Sequence, residues 1–254
     1  MDRRHFVGVG VAGIAAAVVA GRRLSAARVV SRNDGRLQAR PRKFTPPGGK
    51  VVTGTSRLGM GGARDGVLFV PESYSSATPA PLMLALHGAT GAGDRFARNV
   101  TGLASQLGMI VVAPDSRSGT WDAIRGYFDD DVVFIDQVLA RVFSDFNIDA
   151  KRLTIAGFSD GATYALSLGL VNGDLFGRIA AFSPGFIVPG TRHGKPAVFV
   201  SHGHSDPILP FSGSSERIVP ELRKTGYAVT FVDFDGGHAV APEVIQSVGP
   251  WLRG

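Results

Sequence analysis

The sequence contains no cysteine. That absence excludes disulfides, thiolate nucleophiles, Cys-ligated zinc, iron–sulfur centres and a cysteine-linked lipid anchor. A strongly basic body is lacking too. The formal charge of +6 is concentrated at the start, where residues 1–43 hold ten Lys/Arg against two Asp. Residues 44–254 carry 17 basic and 19 acidic side chains, so the body has no basic footprint for nucleic acid. The glycine-rich stretch Gly88–Gly93 lacks the Lys-Ser/Thr pair of a phosphate-binding loop. The acidic run Asp129–Asp131 precedes an apolar-periodic segment, which points to a helix N-terminus rather than a metal site. No metal, nucleotide or organic cofactor is expected.

What is present begins with an address. Arg3 and Arg4, Phe6, a mild apolar run from Val7 to Ala20 and then Arg22 and Arg23 resemble a bacterial twin-arginine export signal. That run suits a signal-peptide core and is too short to span a bilayer, so no stable membrane anchor is expected. Ser25 and Ala27 are small enough to flank a cleavage site. The expected organisation is an export signal over residues 1–27, a disordered Arg/Pro/Gly-rich linker over 28–49 and one catalytic domain over 50–254. The partner of the N-terminus is then the twin-arginine machinery, and the location is periplasmic or extracellular.

From residue 66 the chain alternates short apolar runs with helical patterns. Strands are predicted over 66–71, 81–88, 109–115, 152–158, 178–184, 197–203 and 228–234, each of the continuous apolar kind buried on both faces. The clearest helix is 130–146, where Val132, Ile135, Val138, Leu139, Val142, Phe143 and Phe146 recur at three- and four-residue spacing. This alternation predicts an α/β fold with a mostly parallel central sheet and helices on both faces. In such sheets ligands bind beyond the carboxyl ends of the strands.

One of those ends reads Gly157-Phe158-Ser159-Asp160-Gly161. G-x-S-x-G alone is weak in a chain with 34 glycines, but here a strand precedes the serine and a helical pattern follows. That is the context of a nucleophile held on a sharp turn. A serine hydroxyl needs a base, and His238 follows the last strand at the same sheet edge. His87 reads as a loop-ordering residue; His202 and His204 flank a separate turn. The imidazole needs a carboxylate, and Asp206 after the penultimate strand is preferred, with Asp235 its rival.

The chain order Ser159, Asp206, His238 is that of α/β-hydrolases. With "LHGATG", "RLTIAGFSDGA", "SHGHSDPILPF" and "GGHAVAPEVI" in order, residues 66–252 resemble the phospholipase/carboxylesterase family and the polyhydroxybutyrate depolymerase and feruloyl esterase group. The resemblance implies Ser159 as nucleophile, Asp206 as orienting acid and His238 as general base. It also implies an oxyanion hole from the His87-Gly88 turn and the residue after the nucleophile. The backbone N–H of Asp160 is then one donor and Ala89, in preference to Thr90, supplies the other. Asp160 departs from the Gln or Asn usual there, and its carboxylate has no evident role. Trp121 and Leu209 are expected to line the substrate groove. With only a short segment between the strands at 178–184 and 197–203, no cap domain is expected. An open site of this kind suits short-chain or aryl esters, or polymer ends. The competing readings are a serine peptidase of the prolyl-oligopeptidase type and a non-catalytic binding protein with the same fold.

Overall fold

The computed structural model describes residues 34–46 and 51–254; the expected export signal lies outside them. Eight strands form one sheet: β1 (Gly54–Arg57), β2 (Gly66–Val70), β3 (Ala80–Leu86), β4 (Ile110–Pro114), β5 (Ile148–Phe158), β6 (Arg178–Phe182), β7 (Ala197–Gly203) and β8 (Val229–Phe234). Their order is β1-β2-β4-β3-β5-β6-β7-β8. β1 and β2 pair antiparallel, as do β2 and β4, and the remaining pairings are parallel. The seven predicted strands are thus present, and β1 is an addition. Among the described residues no helix is long and apolar enough to cross a membrane.

Strand alternation divides the core in two. On β3, Leu82, Leu84 and Leu86 face one layer, while Met83 and Ala85 face the other. The first layer is completed by α2 (Asp130–Asp145), α3 (Asp160–Val171) and α4 (Ser215–Lys224), the second by α1 (Gly93–Gln106) and α5 (Pro242–Arg253). Every residue of α3 after Asp160 is buried. A helix apolar on all sides belongs inside a protein, and this one runs directly from the end of β5 beneath the carboxyl edge of the sheet. Between β6 and β7 no helix intervenes, so no cap domain is inserted there.

The expected linker is corrected by the structure over its described part. Residues 34–40 have no regular secondary structure, yet Leu37 is 1% exposed and belongs to the first core layer. Its N–H donates to Asn172 Oδ1 at 2.9 Å, and Asn172 Nδ2 donates to the Gly35 carbonyl at 2.7 Å. Asp136 Oδ1 accepts from the N–H groups of Gln38 and Ala39. Arg36 forks onto both oxygens of Asp174 at 2.7 and 2.9 Å, and the ion pair holds that carboxyl far below its ordinary range. Side chains of α2 and α3 satisfy this segment's backbone, so neither apolar periodicity nor strand propensity announces its order.

Candidate active site

β5 delivers Ser159 onto a turn with φ 59° and ψ −123°. A non-glycine residue held in such a sparsely populated conformation costs on the order of 1–3 kcal/mol, and the packing around it shows what sustains that cost. Ser159 N–H donates to the Phe182 carbonyl at 2.9 Å, and the Ser159 carbonyl starts α3 by accepting from Ala162 and Thr163. Gly161 allows the turn to lie against β3: a methyl there would stand 2.2 Å from the Leu86 carbonyl oxygen and 2.4 Å from that of His87. At Gly157 a methyl would meet the Gly161 carbonyl at 2.1 Å. Both glycines of the motif are therefore steric requirements of the elbow.

The three residues singled out from sequence meet at this edge. Ser159 Oγ lies 2.8 Å from His238 Nε2, and His238 Nδ1 lies 2.6 Å from Asp206 Oδ2. With Asp206 accepting, Nδ1 carries the proton and Nε2 is left to accept from the serine hydroxyl. Ser159 and Asp206 are buried, whereas the His238 side chain is 15% exposed. The imidazole ring rests on Phe158, with centroids 4.7 Å apart. Asp206 Oδ1 accepts from the N–H groups of Ile208 and Leu209, both at 2.9 Å. Burial alone would raise the Asp206 carboxyl, but the His238 bond and these two N–H groups outweigh it and hold the carboxyl below its ordinary value. The rival Asp235 turns elsewhere, to His204 Nδ1 at 3.1 Å on the surface.

Beside Asp206 stands a residue that sequence reasoning set aside. His202 is fully buried and donates from Nε2 to the Leu209 carbonyl at 2.8 Å, with Asp206 Oδ2 a further 3.2 Å contact. Its Nδ1 meets Ser215 Oγ at 2.7 Å, and burial lowers its pKa, so it is neutral and fixes the Asp206 loop. The only sequence signal for this was the four-residue spacing of His202 and Asp206. His87 is likewise neutral and structural: Nδ1 donates to the Gly88 carbonyl, and Nε2 accepts from Ser116 N–H at 3.0 Å.

The N–H groups of the two expected oxyanion donors, Ala89 and Asp160, have no acceptor among the described residues. Thr90 N–H, by contrast, is committed to the Gly119 carbonyl at 2.7 Å. Asp160 begins α3. The Asp160 carboxylate, unexplained from sequence, accepts from Thr120 Oγ1 at 2.5 Å.

The loop after β4 places Trp121 as the floor of a cleft and not as a projecting side chain: it is 1% exposed, stacked on Tyr164, and donates Nε1–H to the His87 carbonyl at 2.7 Å. An indole N–H beneath a loop takes a backbone acceptor when one is offered, and the ring becomes the floor. The acidic run stands at a helix N-terminus as expected, with Asp130 and Asp131 in the first turn of α2, but its side chains do not cap that helix. Asp122 Oδ2 accepts from Asp129 and Asp131 N–H, while Asp131 accepts from Arg117 and Asp122 N–H. Leu209 is half-buried, its side chain packed toward Gly185, and its backbone serves Asp206 and His202.

Burial, reinforced by the nearby Asp131 charge, raises the Asp122 pKa to about 6. A carboxyl raised from 3.8 to about 6 stabilises the fold fully below pH 4, and that contribution is lost as pH rises through 6. Asp122→Asn keeps an acceptor for the two N–H groups and removes the titration. We expect the variant to gain on the order of 1 kcal/mol over the parent between pH 4.5 and 7.5, read as the change in their Tm difference. Parallel Tm profiles for the two proteins would refute it.

A cleft of about 290 Å³ opens beside Ala89, bounded by Thr90, Ser118, Gly119, Thr120, Trp121 and Arg125. On another side, Phe186 and Ile208 are 41% and 63% exposed. A larger depression, of about 620 Å³, lies beside Phe128 and Pro189; Ser159, Asp206 and His238 line neither it nor the cleft beside Ala89.

Comparison with known proteins gives a consistent answer. The phospholipase/carboxylesterase family model matches residues 127–253, and the esterase family model matches 58–189. Feruloyl esterase C of Emericella nidulans is 27% identical over 240 residues, covering 78% of this chain and 87% of its own. A "probable feruloyl esterase C" of Aspergillus niger is 28% identical over 236 residues, covering 80% and 86%. Among solved structures, esterase PE8 superposes with a TM-score of 0.61 at 23% identity, covering 75% of this chain and 98% of its own. A phospholipase/carboxylesterase of Dyadobacter fermentans does so at 0.58 and 23%, covering 71% and 93%.

Proposed function

This chain belongs to the phospholipase/carboxylesterase family of serine α/β-hydrolases and is a carboxylesterase-type hydrolase, and on that footing we propose that Ser159, His238 and Asp206 form its catalytic triad. The observation carrying this reading is the continuous relay from Ser159 Oγ to His238 to Asp206, at 2.8 and 2.6 Å. His238 Nε2 takes the hydroxyl proton as Oγ attacks the ester carbonyl. The oxyanion that forms is met by the N–H groups of Ala89 and Asp160, each such donor contributing about 3 kcal/mol in related chemistry. His238 then returns the proton to the departing alcohol oxygen, leaving an acyl group on Ser159. A water, deprotonated by the same nitrogen, attacks that acyl carbon; on collapse the proton passes to Ser159 Oγ and the acid leaves.

The substrate is a short-chain or aryl ester. A cleft of about 290 Å³ is at the lower limit of ligand pockets, which run from roughly 300 to 1,000 Å³, and accepts one ring or a short chain beside the oxyanion donors. The other arm of the ester lies over the exposed Phe186 and Ile208. The names of the similar feruloyl esterases support the aryl class. The paired arginines and short apolar run at the N-terminus support export through the twin-arginine route.

A series of p-nitrophenyl esters of increasing chain length, run beside methyl ferulate and a peptide amide, tests the substrate class. We expect hydrolysis of the acetyl, butyryl and feruloyl esters, a fall for long chains and no amide cleavage. Rates that climb steadily with chain length would defeat the short-ester assignment, and amide turnover matching the esters would make the protein a peptidase.

A further inference from the structure

The Asp160 side chain plays no part in the relay, yet it reaches out of the elbow to hold another loop. Its Oδ2 accepts from Thr120 Oγ1 at 2.5 Å. The next residue back, Gly119, accepts Thr90 N–H on its carbonyl at 2.7 Å. Thr90 needs that restraint, because its φ of 52° lies in the left-handed region, which a β-branched residue enters only under constraint. Thr90 in turn directly follows Ala89, whose N–H has no acceptor among the described residues. Packing does not fix the tip of this loop: Ser118 and Gly119 are exposed, and a methyl built on Gly119 would touch nothing within 4 Å. Other ties hold its two ends, from Ser116 N–H to His87 and from Trp121 Nε1–H to the His87 carbonyl. At the tip, the Ser116 hydroxyl donates to the Ser118 carbonyl at 2.8 Å within the loop, and the Thr120 hydroxyl is the side-chain tie that joins the tip to the elbow.

We propose that Asp160 and Thr120 are positioning residues for the oxyanion hole: the carboxylate holds the Thr120 hydroxyl, which fixes the Gly119 carbonyl, which keeps Thr90 left-handed and aims the Ala89 N–H. One residue thereby governs both donors, Asp160 offering its own N–H and setting the other through its side chain. The inference rests on the reading of Ala89 and Asp160 as oxyanion donors.

The test is steady-state kinetics on p-nitrophenyl acetate for Thr120→Val, Thr120→Ser, Asp160→Ala, Asp160→Asn and the Thr120→Val/Asp160→Ala double variant, each checked for folding by thermal melting. Loss of one oxyanion donor lowers kcat about 100- to 1,000-fold, so a misaimed one should lower it about 10- to 100-fold. We expect that loss in Thr120→Val and in Asp160→Ala with KM changed less than about threefold, because the donor acts chiefly in the transition state. The double variant should be no worse than the poorer single one. Serine and asparagine, which restore the donor and the acceptor, should recover most of the lost kcat. Full kcat in Thr120→Val, losses that multiply in the double variant, or serine and asparagine variants as poor as the valine and alanine ones would overturn the proposal. A Ser159→Ala control separates the two levels: hydrolysis surviving in it sinks the underlying site reading, whereas an inactive control beside a fully active Thr120→Val sinks only the positioning role.

Discussion

Replacing Ser159 by alanine is expected to lower kcat for ester hydrolysis by about 10⁴- to 10⁶-fold, the range seen when a serine triad loses its nucleophile. The protein should remain folded. Oγ is one atom, and the elbow is held by backbone and glycine contacts that alanine preserves: the Ser159 N–H bond to Phe182, the Ser159 carbonyl bonds to Ala162 and Thr163, and the close approach at Gly161. Relief of the φ 59° conformation is not available to alanine either, so the turn stays under the same constraint. A fluorophosphonate probe should label the parent at Ser159 and fail to label the variant. Labelling or turnover that persists in folded Ser159→Ala protein would mean that another nucleophile serves the site.

Asp206→Asn should cost about 10³- to 10⁴-fold in kcat with little change in KM, and the surrounding hydrogen bonds say why. Oδ1 of Asp206 accepts from two backbone N–H groups, those of Ile208 and Leu209. Asparagine must therefore leave its carbonyl oxygen there and turn its NH₂ toward His238, where Oδ2 had been 2.6 Å from Nδ1. An NH₂ donor forces Nδ1 to become an acceptor, and the imidazole proton moves to Nε2. That nitrogen can then no longer accept from Ser159. The same NH₂ confronts the Nε2–H of His202, 3.2 Å from Oδ2 in the parent. The check is kcat and KM together with the rate of fluorophosphonate labelling, which should fall in parallel with kcat. Activity within tenfold of the parent would show that Asp206 does not set the tautomer.

Much of this architecture was legible before the structure. Apolar runs placed seven strands; β3, β4, β6 and β7 are buried along nearly their whole length, whereas edge strand β8 buries only Phe234 fully. β1 could not be placed, because Gly54–Arg57 is a mostly exposed edge strand of polar composition and carries no such signal. The proposed nucleophile, base and acid were legible because the chemistry restricts which residue types can serve and the topology restricts where they stand. Contacts between loops were not. Nothing local reveals that the His87 carbonyl waits beneath Trp121 and turns its ring into the floor of the cleft. The acidic run marked the start of α2, whereas the carboxylate that takes its N–H groups is Asp122, several residues earlier and across a turn. The partner of Asp160 lies 40 residues away and is a threonine, a residue type with no distinguishing pattern.

The segment at residues 34–40 also redraws where this enzyme begins. A version shortened to start at residue 50 would keep every group that touches the ester, yet it would uncover the seat of Leu37 and strip Asn172, Asp136 and Asp174 of their partners. Asn172 is the last anchor of α3, the helix whose first turn carries the elbow. Cutting there unfastens the back of the rod that presents the serine at its front. Affinity tags and fusion partners therefore belong upstream of Asp34, and the hydrolase domain includes a stretch whose composition alone would have marked it as expendable.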